Sequence, residues 1–217
     1  MTNHIFFTLL IILGLSIAPI SAQSQKKRKK SKKDYLITIS TSFGDILMIL
    51  YDDTPKHKEN FLKLTKEGFY NGTTFHRVMK NFMIQGGDPN TKAEGDKSKI
   101  GGGGAGYTIE AEFQPKYTHK KGALAAARQG DHVNPEKRSG SQFYIVHSSK
   151  GAHHLDGAYT VFGEVIQGIG VVDKIAEQPV DHHLRNRPKE DIPMTISSQL
   201  IKKKKINKLY GYVFGAY

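Results

Sequence analysis

The sequence contains no cysteine in its 217 residues. That absence excludes a disulfide framework, thiolate nucleophiles and cysteine-based zinc sites. The N-terminal apolar stretch, Ile5 to Ile20, is short for a membrane helix, which needs about 20 apolar residues. Acidic residues are missing from two segments, KKRKKSKK at 26–33 and KKKKINK at 202–208, which carry seven and five positive charges. With a net charge of +12, this leaves residues 34–201 balanced, so the basicity belongs to the ends. Such runs read as solvated tails, or as weak, salt-sensitive contacts with anionic surfaces; no specific nucleic-acid partner is expected.

What is present divides the chain into four parts. Residues 1–22 read as a secretory signal cleaved near Ala22, which implies an exported protein, periplasmic or secreted. The basic run just after it makes an uncleaved membrane anchor the alternative. Residues 23–34 form a basic linker, 35–201 the folded domain and 202–217 a basic and aromatic tail.

Within the domain, YLITIS and DILMILY flank TSFG as strand, turn and strand. Asp53-Thr54-Pro55 reads as a helix cap, Phe61, Leu62 and Leu64 as the buried face, and Gly68 as the stop. Further strand-like runs are TTFHRVM, FMIQG, YTIEAEF, GALAAAR, SQFYIVH, TVFGEVI and MTISSQL, with a short helix at about 170–178 before the last. Helices between successive strands are missing, which excludes a doubly wound parallel sheet and favours a closed antiparallel barrel. Residues 89–106 form a Gly-rich loop long enough to be functional.

Several motifs fall away on inspection. GGGGAG at 101–106 lacks the Lys-Ser/Thr of a phosphate loop and precedes a strand-like run. The pairs His153-His154 and His182-His183 lack the spacing and carboxylates of a metal site, so no metal is expected. Ser141 in SGSQF is not a nucleophile elbow. FHRVMKNFMIQGGD at 75–88 is harder to dismiss, because it sets one arginine, Arg77, and a glutamine, Gln85, among large apolar side chains. Its residues alone admit an ordinary strand pair, a ligand ring or a catalytic surface.

Phe75-His76-Arg77 and FMIQGGD at 82–88 are followed in order by GALAAARQG at 122–130, SGSQFYIV at 139–146 and HLDGAYTVFGEV at 154–165. In this order the motifs closely resemble the cyclophilin-type peptidyl-prolyl cis-trans isomerases, over Tyr35 to Ile196. The resemblance implies a mainly β fold, a closed eight-stranded antiparallel barrel capped by two α-helices, with the groove on its outer surface. It implies Arg77 as the catalytic arginine, and Phe82, Met83, Tyr144, Leu155 and Tyr159 as the proline pocket. Gln85 and Gln142 match groups that hold the substrate backbone, and Ala127 and Arg128 match a strand beside the residue before proline.

The sequence departs from the family pattern at Tyr144 (often Phe), Tyr159 (often His), Arg128 (usually Asn) and His154 (Trp in the eukaryotic archetype). The first two keep a ring in place. Arg128 is expected to alter substrate preference through its charge, and His154 to weaken cyclosporin binding. The implied function is a bacterial, exported isomerase acting on proline-containing polypeptides and assisting their folding, without metal or organic cofactor. A proline-binding module without turnover, and an anchored protein that works through its basic ends, are the other readings.

Overall fold

The computed structural model describes residues 31–216. The signal, or anchor, at 1–22 and most of the basic linker lie outside them. Ten strands and three α-helices are found among the described residues. Strands β1 (Lys33–Thr41) and β2 (Gly44–Leu50) form the expected hairpin, and helix α1 (Pro55–Lys66) follows. Then come β3 (Arg77–Met79), β4 (Met83–Gly86), β5 (Ala123–Ala126), β6 (Phe143–Val146) and β7 (Val161–Gln167). Helix α2 (Ile169–Ala176), the small hairpin β8 (Val180–Asp181) and β9 (Arg187–Pro188), strand β10 (Thr195–Lys202) and helix α3 (Lys203–Tyr210) complete the chain.

Eight strands form one antiparallel sheet in the order β10-β1-β2-β7-β5-β6-β4-β3. The expected closed barrel is not shown, since β10 and β3 end the sheet and share no ladder. Between those ends, Thr74 bridges Pro193 and the Phe75 N–H donates to the Ile192 carbonyl at 3.0 Å. The expectation of two helices is corrected to three, because α3 arises from the tail.

Period-two alternation explains the layering. Ile84, Leu124, Ala126, Phe143 and Ile145 face a main core shared with Phe61, Leu62 and Leu64 of α1 and Val172 and Ile175 of α2. Their strand neighbours Met83, Ala125, Tyr144 and Val146 face the other way, into a second apolar cluster. Both faces are covered, which is why FYIV and ALAA read as continuous apolar runs rather than alternating ones.

Two local expectations fail for tertiary reasons. The Thr54 side chain makes no capping bond at the start of α1. Glu112 caps instead from a distant loop, accepting the N–H groups of Lys56 (3.0 Å) and His57 (2.9 Å). YTIEAEF, despite its alternation, is not a strand; it holds one bridge, Ile109 to Ser139, because its acids turn toward α1.

Candidate active site

Register builds the site. Arg77 lies opposite Gln85, Gln85 opposite Tyr144, and Tyr144 opposite Ala125, in one row across β3, β4, β6 and β5. Directly paired residues point to one face, so this row carries a cation, an amide and a ring onto the face turned away from the main core. Met83, in the next row, pairs with Val146. Phe82 precedes β4, Ala127 follows β5, Leu155 ends a single 3-10 turn at His153–Leu155, and Tyr159 comes from the segment after it. Together Arg77, Phe82, Met83, Gln85, Ala127, Arg128, Tyr144, Leu155 and Tyr159 enclose a cavity of about 200 Å³.

A polar chain fixes the cation. Arginine only donates and a carboxylate only accepts, so the two amides between them have a single consistent orientation. Arg77 Nη1 donates weakly to Gln85 Oε1 (3.4 Å), and Gln85 Nε2 donates to Gln142 Oε1 (2.9 Å). Gln142 Nε2 donates to the Gly103 carbonyl (2.8 Å) and toward Asp88 Oδ2 (3.3 Å). Asp88 is fully buried and collects the N–H groups of Asn90, Gly101 and Gly103. Gly87 places it there, with φ of +85° and the Ser141 carbonyl 2.6 Å from where a Cβ would stand. That approach excludes every other residue.

Among the described residues Arg77 has no carboxylate partner; its one hydrogen bond is the long contact to Gln85. Burial lowers its pKa, Tyr159 opposes that shift and the like charge of Arg185 adds to it. Arginine still stays charged across the working range. The guanidinium is therefore held in place with most of its donors unused.

The pocket ring is braced from behind. Asp156 Oδ1 accepts from His119 Nδ1 at 2.6 Å, and His119 Nε2 meets the Tyr144 hydroxyl at 2.9 Å. His119 is fully buried, and burial, the largest influence, lowers its pKa, so the ring is neutral. With its proton on Nδ1, Nε2 accepts, and the Tyr144 hydroxyl donates to it. Sequence reasoning passed over His119 and Asp156, because nothing local links residues 119, 144 and 156.

Arg128 lines the cavity and also has partners within the chain. Its Nε and Nη2 donate to the Ala158 carbonyl (3.1 and 2.9 Å), Nη1 pairs with Asp131 (2.6 Å), and the guanidinium lies 4.3 Å from the Tyr159 ring centre. Its charge is thus engaged in bracing the Tyr159 segment. Gln142 lies in the adjoining cleft, and exposed His154 sits beside the pocket, 5.7 Å from the Phe82 ring centre. Ser139, His57 and Glu112 also meet in hydrogen-bond reach (3.0 and 2.6 Å), an arrangement the sequence did not suggest. Ser139 is buried at 3% exposure against the wall of the adjoining cleft, and the triple ties α1 to the loops.

The family model described as cyclophilin type peptidyl-prolyl cis-trans isomerase matches residues 36–198, three quarters of the chain. The chain belongs to the cyclophilin-type peptidyl-prolyl isomerase family. Its relatives include peptidyl-prolyl cis-trans isomerase-like 1 of Homo sapiens, 39% identical over 159 residues, covering 72% of this chain and 87% of that protein. Peptidyl-prolyl cis-trans isomerase-like 2 of Rhizopus delemar is 40% identical over 171 residues, covering 76% of this chain and 28% of that protein. Against several curated relatives the chain spans only 28–37% of their length. A Cryptosporidium parvum cyclophilin-type isomerase has a TM-score of 0.66 at 31% identity, over 77% of this chain and 98% of that one. A second crystal structure of that isomerase is described as in the presence of the dipeptide Ala-Pro.

The enzyme class follows with the family: the cyclophilin-type region is a peptidyl-prolyl isomerase domain. One expectation is overturned. The assignment as an exported bacterial protein does not stand: fungal, plant and human isomerase-like proteins are among the relatives, beside one of Streptococcus pyogenes. Among the described residues no helix is long and apolar enough to cross a membrane.

Proposed function

We propose that this cyclophilin-type domain, residues 35–201, accelerates rotation about Xaa-Pro bonds of polypeptides, with Arg77 as the catalytic residue, and thereby assists their folding. The supporting observation is a cation with no carboxylate partner among the described residues, lining a cavity of about 200 Å³ together with Phe82, Met83, Tyr144, Leu155 and Tyr159.

Rotation faces a barrier of about 18–20 kcal/mol, because resonance gives the C–N bond double-bond character. At the twisted state the prolyl nitrogen becomes pyramidal and gains a lone pair. A guanidinium donor at that nitrogen stabilises the twisted state and has no equivalent partner in the planar amide. Phe82, Met83, Tyr144, Leu155 and Tyr159 hold the proline ring while the acyl side turns. Gln85 and Gln142 donate to and accept from the substrate backbone, with Ala127 and the Arg128 brace forming the wall beside the residue before proline. His154 beside Phe82, in place of a tryptophan, supports weak cyclosporin binding.

The test is cis–trans exchange of a short Xaa-Pro peptide followed by NMR, with the full chain and with Arg77→Ala. Acceleration by the wild type, lost in a folded variant, supports the reading. Binding without acceleration identifies a proline-recognition module instead.

A further inference from the structure

Beside the proline cavity, and sharing Arg77, Gln85, Ala127 and Arg128 with it, lies a cleft of about 1000 Å³. Its charged lining is of one sign: Arg77, Arg128, Arg138 and Arg185, with His76 and His132, and no aspartate or glutamate. Two of the arginines are already occupied. Arg128 pairs with Asp131, and Arg138 donates to Thr108 and lies 3.9 Å from both Glu110 and Glu136. Arg77 belongs to the proline site. That leaves Arg185, for which no hydrogen bond or ion pair is found among the described residues.

The backbone around Arg185 is unusual. Residues Leu184 to Arg187 form the tight turn between β8 and β9, closed by the Arg187 N–H donating to the Leu184 carbonyl at 3.1 Å. Both central residues, Arg185 (φ +58°) and Asn186 (φ +62°), are left-handed. Glycine or asparagine suits such a turn; a long side chain at its first central position is disfavoured and points to a use for that side chain. The turn is also fastened beside the catalytic strand, because the Asn186 carbonyl accepts the Val78 N–H at 2.9 Å. Arg185 Nη1 lies over the Gly-rich wall, 3.6 Å from where a Cβ on Gly101 would stand.

We propose that Arg185 is a specificity residue that receives an anionic side chain, carboxylate or phosphate, carried by the substrate within a few residues of the proline. The proposal rests on the isomerase reading and names a substrate class for it: acidic proline-containing peptides. The shared lining suits the cleft to a peptide, because a chain whose proline fills the small cavity has a continuous path past Arg128 and Gln85 into the larger one. Arg185 is free to take the anion without quenching Arg77, and the absence of any acid in the lining leaves the incoming charge unopposed.

The test uses the full chain and three otherwise identical Xaa-Pro peptides, with glutamine, glutamate or phosphoserine at a flanking position, placed in turn before and after the proline. Isomerisation kcat/KM is measured by NMR exchange, and affinity by calorimetry, for wild type, Arg185→Gln and Arg185→Lys. An exposed ion pair predicts about a two- to fivefold preference of the wild type for glutamate over glutamine on one side of the proline, and more for the doubly charged phosphoserine. Arg185→Gln removes the preference while leaving the glutamine peptide unchanged, Arg185→Lys keeps part of it, and added salt shrinks it. Equal values for the three peptides with wild type, or a preference that survives Arg185→Gln, overturns the proposal. If no peptide is isomerised, the isomerase reading fails by itself and calorimetry still decides this one: tighter acidic peptides with wild type alone support it, and equal affinities overturn it.

Discussion

On the face turned away from the main core, β4, β5 and β6 display Met83, Ala125 and Tyr144, while β1 and β2 display Leu36 and Ile49. Both sets are apolar patches on the same side of one sheet. The second is sealed by the chain itself: Ile206 of α3 is fully buried on Leu36 and Ile49, and Tyr210, Tyr212 and Phe214 pack around it. Lys203 clamps that cover by pairing with Asp34 (3.4 Å) and Asp52 (3.2 Å). The first patch keeps an open cavity, and its row adds Arg77 and Gln85 where the sealed patch has aliphatic side chains. A sheet face becomes a site when its apolar patch stays accessible and a fixed, underused polar group stands in the same row.

The sharpest way to break this comparison is Arg77→Ala. On the open patch the substitution is expected to lower kcat/KM by about 10²–10³-fold, the scale for removing one donor to a developing charge, with little change in melting temperature. An equal loss of stability would mean that Arg77 is structural. The mirror experiment is Ile206→Ala on the sealed patch. Deleting that buried side chain is expected to cost about 2–5 kcal/mol in urea unfolding while kcat/KM of the folded enzyme stays unchanged. Lost activity would show that the tail supports the groove.

His119→Ala sharpens the contrast, because His119 braces the open patch from within. It leaves the buried Tyr144 hydroxyl without its acceptor and removes the ring's bond to Asp156, which keeps the residue 119 backbone N–H; the cost is about 1–3 kcal/mol, and the loosened wall of the proline cavity raises KM. A double-mutant cycle with Tyr144→Phe is expected to show coupling of about 0.5–3 kcal/mol; strict additivity would remove the bracing role.

The smallest effect is that of pH. Burial, the largest influence on each, lowers the pKa of His57, His76 and His119 below the ordinary 6.5. These rings stay neutral in the fold while the unfolded chain takes up protons, so stability is full above about pH 6.5 and falls as the pH drops below it. Urea midpoints at pH 7.5 and 5.5 check the sign. A higher midpoint at 5.5 would contradict it.

The sequence alone determined where α1 and the strands of the main sheet form, since apolar patterning and a Pro55 start act over a few residues; it misplaced a strand at YTIEAEF and did not show β8 and β9. It also determined the family, because the ordered motifs from Phe75 to Val165 sit in the chain as written. Those motifs named the residues around the small cavity, from Arg77 to Tyr159. Tertiary structure alone decided the rest. The row Arg77–Gln85–Tyr144–Ala125 depends on register between segments up to 67 residues apart, visible only once strands pair. Glu112 replaces the Thr54 side chain as the cap of α1 from 55 residues away. Arg128 becomes a brace through the Ala158 carbonyl, and KKKINKLY, from Lys203, turns helical with Ile206 set on an apolar patch. Propensity and period-two patterning are short-range forces, whereas hydrogen-bond partners and burial come from whatever the fold brings near.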